Sequence, residues 1–288
     1  MNASKAALGA LVAAGLAAGS AQAQDVTIGW TAWSDAEFVT KLAERILEER
    51  MGQEVELVQT DIAIQYQGLA DGDIDTMLMS WQPVTHEDYV EQFGGDIVTL
   101  GILYTGARLG WVVPAYVPED QLGSIADLTD EAVMSELDGR ITGIDPGAGL
   151  MRLSNQALED YGLDGYELVS SSGAGMTAEL DRAIQREEWI VVTGWSPHWM
   201  FGAYDLRYLE DPEGTLGGPE RVMALARQGF YQDNPDAAAF LARIDIPIGG
   251  LESAMFDARE TSYEEAVTNY IENNEDRVNY WVTGELPE

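Results

Sequence analysis

The sequence predicts an α/β protein of two lobes, each built on a parallel sheet, and three observations carry that expectation. Short apolar, often β-branched runs alternate with longer segments whose apolar residues recur at helical spacing, the order that builds βαβ units with right-handed crossovers. Of 288 residues, about 265 remain once a leader-like N-terminus is set aside, enough for two lobes of ordinary size. Three of the short runs also lead to a tryptophan: VTIGWTAW to Trp33, TMLMSW to Trp81 and IVVTGW to Trp195. Ligands of open α/β sheets bind at the carboxyl ends of strands, so three tryptophans in equivalent positions predict an aromatic box in a cleft.

The N-terminus comes first in the chain. Lys5 supplies a positive start, Ala6 to Ala18 is a small-residue apolar run, and Ala21-Gln22-Ala23 is an A-x-A cleavage pattern. Residues 1–23 therefore read as a secretory signal peptide, with the mature chain beginning at Gln24. The apolar run is too short to span a bilayer, and no later stretch approaches about 18 apolar residues without a charge, so no membrane insertion is expected. The absence of cysteine excludes a lipid-bearing cysteine at the cleavage site, disulfides, thiol catalysis and thiolate metal sites. An exported, unanchored, cysteine-free chain of this size fits a bacterial periplasm. Fifty acidic residues against fifteen basic ones give a net charge of −35. Such a surface repels nucleic acid and anionic lipid, so neither is expected as a partner. The acidity is spread over the whole chain and reads as solubility.

After the Val26–Ile28 strand, Ser34 or Asp35 is placed to cap a helix over 36–50. Phe38, Leu42 and Ile46, beside Val39, Ala43 and Leu47, give it one apolar face, and Gly52 ends it. Val55 and Leu57 alternate with glutamates in a half-buried strand, and 61–70 is a second helix. Gly72-Asp73 turns into the strand that ends at Trp81. Thr85-His86-Glu87-Asp88 starts a helix with acids in its first turn, as the macrodipole favours. Strands are expected over 97–103 and 109–113, with the crossing between lobes near Val113. Polar residues 120–137 are helical in parts.

The second lobe repeats the theme. A strand at 141–144 leads through Asp145-Pro146-Gly147-Ala148-Gly149 into a helix over 150–161, and a strand at 167–170 leads through a glycine-serine loop into a helix over 176–187. The Trp195 strand follows, with Pro197 opening a helix. Residues 206–209 return the chain to the first lobe, where helical faces around 237–241, 251–258 and 263–281 pack back on it.

There is no G-x-S-x-G elbow, no phosphate loop and no H-E-x-x-H motif. His86 and His198 are the only histidines, so a zinc site would have to draw carboxylates from elsewhere; no metal and no cofactor are expected. The aromatic box is the stronger signal. A quaternary ammonium or sulfonium centre has no N–H to donate, so a protein holds it with π faces, each contact contributing about 0.5–2 kcal/mol. Any one of Trp33, Trp81 and Trp195 is more often core than ligand; their shared position argues for function. Trp30, Trp111, Trp189, Trp199 and Trp281 lack that position and are assigned to packing, and His198 is read as structural. The loop before Leu150 opens onto a helix, so the amides of Gly149 and Leu150 can face an anion. His86, five residues after Trp81, can donate to the same anion. A plain turn and a surface histidine would account for these residues singly.

At these residues the sequence resembles the glycine betaine/proline betaine-binding proteins of osmoprotectant ABC importers. The resemblance runs through GIDPGAGLMRLSNQALEDYGL, SSSGAGMTAEL, VTGWSPHWMF and YLEDP in one half and GDIDTMLMSWQPVTH in the other. It implies a two-lobed type II periplasmic-binding-protein fold with the ligand in the interlobe cleft. With the crossings placed as above, lobe I is 24–113 plus 210–288 and lobe II is 114–209. The resemblance further implies a cation cage of Trp33, Trp81 and Trp195 and a carboxylate site of His86 with the amides of Gly149 and Leu150. Trp30 is a rival to Trp33 that strand alternation does not separate. The implied ligand is a small zwitterion such as glycine betaine, proline betaine, dimethylsulfoniopropionate or carnitine. The implied partners are an inner-membrane ABC permease and its ATPase. A choline receptor is the alternative, against which the histidine and the glycine loop argue. An enzyme acting on such solutes is the rival from another class.

Overall fold

The computed structural model describes residues 26–286; the expected signal peptide, residues 1–23, lies outside the described residues. The chain opens with β1 (Val26–Trp30), α1 (Ser34–Met51), β2 (Val55–Gln59), α2 (Ile62–Asp71), β3 (Thr76–Gln82) and α3 (Glu87–Phe93). A long strand, β4 (Ile97–Pro114), is followed by a 3-10 turn at Ile125–Thr129, α4 (Glu131–Glu136), β5 (Arg140–Thr142), α5 (Gly149–Asp160), β6 (Glu167–Val169) and α6 (Gly173–Arg186). Next come β7 (Val192–Ser196), α7 (Met200–Ala203), β8 (Leu206–Tyr208) and β9 (Glu220–Arg227). The chain ends in helices α8 (Phe230–Asp233), α9 (Pro235–Arg243), α10 (Ile248–Glu260), α11 (Tyr263–Asn273) and α12 (Glu275–Thr283).

Helix α1 shows how the pattern becomes structure. Its apolar stripe, Phe38, Val39, Leu42, Ala43, Ile46 and Leu47, is buried throughout. Gly52 stops it in the left-handed region at φ 66°, where its N–H reaches back to the Glu48 carbonyl. The expected cap is corrected. Ser34 and Asp35 lie inside the first turn, Trp33 holds the N-cap position without a side-chain cap, and the Asp35 carboxylate is engaged elsewhere.

The strand order is β2-β1-β3-β9-β4-β7-β5-β6, with β8 also on β4. The pairs β1–β2, β1–β3, β5–β6 and β5–β7 are parallel, as expected of the βαβ repeats. The middle differs from the all-parallel expectation, because β9 runs antiparallel to both β3 and β4, and β4 antiparallel to β7 and β8. The cause is the way the chain passes between the halves, out along β4 and back into β9. The two strands expected at 97–103 and 109–113 are one strand whose Ile97–Ala107 part pairs with β9 and whose Arg108–Pro114 part pairs with β7 and β8. β4 thus leaves one sheet and enters the other between Ala107 and Arg108, ahead of Val113. Three register shifts against β9 before that point bend it.

Two halves result. The first contains β1–β3, β9 and the start of β4, with α9, α10 and α11 packed on β4 and α1. The second contains β5–β8 and the end of β4, with α5 and α6 against β7 around Trp111, Ile141, Leu180 and Val192. Among the described residues, no helix is long and apolar enough to cross a membrane.

Candidate functional site

The carboxyl ends of β1, β3 and β7 meet at one small cavity. All six residues singled out in the sequence line it: Trp33, Trp81, His86, Gly149, Leu150 and Trp195. The three tryptophans are 7%, 3% and 4% exposed, so their rings are walls of the cavity and not surface decoration. Trp30 does not reach it. That ring is half-buried under Lys41, whose Nζ lies 5.7 Å from the ring centroid.

Two walls are fixed from behind by hydrogen bonds that join the halves. Trp195 Nε1 donates to Asp35 Oδ1 at 3.0 Å, and Trp33 Nε1 donates to Asp145 Oδ2 at 2.9 Å. With both N–H groups occupied, these walls have carbon and π surface to offer a ligand. His198 also proves to be a support. Its ring meets that of Trp195 edge-on, with centroids 4.5 Å apart, while its Nδ1 accepts from the Met200 N–H at 3.1 Å. Burial pushes its pKa down to about 3, so the prop is neutral.

His86 occupies the N-cap position of α3 and is 1% exposed. It exchanges two bonds with Trp81: its own N–H donates to the Trp81 carbonyl, and the Trp81 N–H donates to its Nδ1, both at 3.1 Å. Because Nδ1 accepts, the ring proton sits on Nε2. Nε2 is buried and has no partner among the described residues. Burial, and to a lesser degree the Arg152 charge, lowers the pKa of His86 to about 3, which keeps the ring a neutral donor. An orphan buried donor costs about 1–3 kcal/mol, which an acceptor on a ligand would recover.

Gly149 and Leu150 begin α5, whose N-cap residue Ala148 provides no side-chain cap. The first amides of that 12-residue helix are thus the orphan donors that favour an anion. Gly149 is needed for approach: a Cβ there would stand 2.0 Å from the Thr85 carbonyl oxygen. The facing segment is pinned. Buried Glu220, at the start of β9, accepts the N–H groups of Val84 (3.0 Å) and Thr85 (3.1 Å) and the Thr85 hydroxyl. From the other half, Arg152 donates to the Val84 carbonyl at 2.9 Å and pairs with Asp88 at 3.1 Å; in return, Tyr89 of α3 donates across to the Gly147 carbonyl at 3.0 Å.

Asp35 is fully buried. Burial raises its pKa, while bonds from Tyr104 (2.6 Å), from Trp195 and from nearby backbone amides oppose the rise. In the sequence Asp35 reads only as a cap candidate and Asp145 only as part of a loop, and Glu220, Arg152, Leu109 and Ile144 carry no local signal of a site. In a chain with fifty acids, no acidic residue stands out by type.

Two halves joined by a bent strand, with an aromatic and amide-lined cavity where their strands end, define a receptor that encloses a small ligand in a cleft. A family model describing the substrate-binding domain of ABC-type glycine betaine transport systems (OpuAC) matches residues 24–273, and the chain belongs to that family. It is 34% identical over 186 residues to a glycine betaine/carnitine transport binding protein of Listeria monocytogenes, covering 64% of this chain and 58% of that one, so it spans less than two thirds of that relative's length. The fold is that of lactococcal OpuAC, solved in its closed-liganded conformation with glycine betaine, at a TM-score of 0.84, 35% identity and coverage of 90% of this chain and 100% of that one. An ABC-transporter choline-binding protein in complex with choline is also similar, at a TM-score of 0.83 and 26% identity, with 91% and 92% covered.

Proposed function

We propose that the protein captures glycine betaine, or a close carboxylated ammonium or sulfonium solute, and hands it unchanged to an inner-membrane permease with its ATPase. The observation that carries this reading is the His86 Nε2–H, a buried neutral donor without a partner, in the same cavity as Trp33, Trp81 and Trp195. The tryptophans suit the onium centre. The carboxylate would take the His86 Nε2–H and the first amides of α5 at Gly149 and Leu150. Choline fills the aromatic end but offers the histidine and the α5 amides a neutral hydroxyl where glycine betaine offers a charged carboxylate, and this separates the reading from the choline-binding relative. The halves act as the lobes of a hinge, and the bonds between them belong to the closed form. The protein works in the periplasm, reached through the signal peptide at residues 1–23. An enzyme fits less well, because among the described residues the cavity's only titratable lining side chain is a histidine held neutral.

Calorimetric titration of the purified protein against glycine betaine, proline betaine, dimethylsulfoniopropionate, carnitine and choline tests the proposal. Stoichiometric binding of a carboxylated ligand, recovered unchanged and held at least about tenfold tighter than choline, is expected from one charged hydrogen bond. Equal affinity for choline would overturn the carboxylate reading, and turnover of the ligand would overturn the receptor reading.

A further inference from the structure

We infer that Asp35 and Asp145 are positioning residues of the binding box, each carboxylate holding the tryptophan of the opposite half so that the box is complete only when the halves close. The inference rests on reading the cavity as the betaine site. Asp35 stands in the first turn of α1, in the first half, and receives the indole N–H of Trp195 from the end of β7 in the second. Asp145 stands on the loop after β5, in the second half, and receives the indole N–H of Trp33 from the first. The two bonds cross the cleft in opposite directions. A ligand that draws the halves together therefore sets both walls against itself.

The chemistry of each pair fixes its direction. An indole N–H only donates, so both carboxylates are acceptors, and an ionised acceptor makes a bond about twice as strong as a neutral one. The two oxygens of Asp35 divide the work. Oδ2 takes the hydroxyl of Tyr104, which lies on the part of β4 that pairs with β9 in the same half, and Oδ1 takes Trp195 from the other half. With the halves apart, Asp35 keeps Tyr104 and gives Oδ1 to water; closure exchanges that water for the indole. Asp35 is fully buried and Asp145 only half-buried, so solvent weakens the Asp145 bond and Asp35 is the stronger holder. Donation to a carboxylate also polarises the indole, leaving Trp195 a more electron-rich wall for a cation.

Stopped-flow tryptophan fluorescence with glycine betaine on the full chain tests this, alongside thermal melting of the ligand-free protein. Loss of a closure contact appears in dissociation. Asp35→Ala is expected to speed release on the order of tenfold, with association changed less than about threefold. Asp35→Asn, which keeps a carbonyl acceptor but not the charge, is expected to recover part of the loss. Asp145→Ala is expected to speed release by a smaller factor and, being on a half-exposed loop, carries the test if Asp35→Ala does not fold. The inference is overturned if wild type binds and Asp145→Ala and a folded Asp35 variant release ligand at the wild-type rate. It is also overturned if Asp35→Asn melts as early as Asp35→Ala and neither alters release, which would make the residue a folding element. A wild-type protein that binds no glycine betaine would overturn the functional reading, and this one with it.

Discussion

The two ends of the cavity are built on different principles. At the proposed carboxylate end, each donor is ready within its own half. His86 has its tautomer fixed by the Trp81 N–H only five residues away, and the amides of Gly149 and Leu150 are aimed by the helix they begin. At the proposed cation end, the walls come from β1, β3 and β7, and two of the three are held by carboxylates of the opposite half. Readiness at one end and dependence on closure at the other imply an order of events. One set of polar donors, His86 in the first half or the first amides of α5 in the second, can meet a carboxylate while the halves are apart, and closure then brings the other set and completes the aromatic walls around the onium group. Closure is thereby tied to a ligand that has both charges.

The largest effect should come from breaking the aromatic end. Trp195→Ala removes a wall of the proposed cation cage and is expected to weaken glycine betaine binding by about 2 kcal/mol or more, roughly thirtyfold. Calorimetry checks this, and choline should lose as much, because both ligands present the same onium group. A loss confined to glycine betaine would move Trp195 out of the cation end. The polar end should respond differently. His86→Ala removes one charge-assisted bond, with an expected loss of about 1.5–2 kcal/mol for glycine betaine. Choline, which offers only a neutral hydroxyl, should lose less, and equal losses for the two ligands would collapse the distinction between the ends.

Most of this comparison is legible in the residues, and the illegible part has a physical cause. Trp33, Trp81 and Trp195 can be found because the periodicity of a buried strand is short and a tryptophan at its end breaks the pattern. His86 can be found as one of two histidines. What local pattern cannot show is contact at long range. Asp35 and Trp195 are 160 residues apart, Asp145 and Trp33 are 112 apart, and Glu220 holds Thr85 from 135 residues away. The strand β9 is hidden for another reason. Its sequence, ERVMALAR, is rich in good helix formers, and only pairing on both sides, with β3 and β4, makes it a strand. The crossing was displaced because β4 runs without a break through both sheets, where two separate strands were expected.

Gly149 lies at the seam between the ends. The Thr85 carbonyl belongs to the first half and the start of α5 to the second, and an added methyl would stand 2.0 Å from that oxygen. Gly149→Ala should therefore oppose closure more than folding. The expected loss of glycine betaine affinity is on the order of 1 kcal/mol, with the melting temperature of the ligand-free protein nearly unchanged. Equal losses in affinity and in ligand-free stability would mean that the contact belongs to the fold and not to closure.

The smallest expected effect is a flat line, and it separates a neutral polar end from a charged one. Burial holds the pKa of His86 at about 3, against 6.5 for an exposed histidine. Its Nε2–H is therefore present, and uncharged, at every pH well above 3. Glycine betaine affinity should stay constant from about pH 8 to 5 at fixed ionic strength, because no histidine of the closed form titrates in that range. A charged imidazole would behave oppositely, tightening its hold on a carboxylate as the pH fell through 6.5. Stability has its own sign. The folded state keeps His86 and His198 neutral, each with a pKa near 3, so their contribution is complete above 6.5 and is lost as the pH falls from 6.5 toward 3. Asp35, whose pKa burial raises, works in the opposite direction. Titrations of ligand at pH 8, 7, 6 and 5, with thermal melts in the same buffers, distinguish the cases. Constant affinity beside a melting temperature that falls below pH 6.5 is the signature of a donor whose charge state burial has fixed, whereas tighter binding at pH 5 would show that the polar end works through a cation.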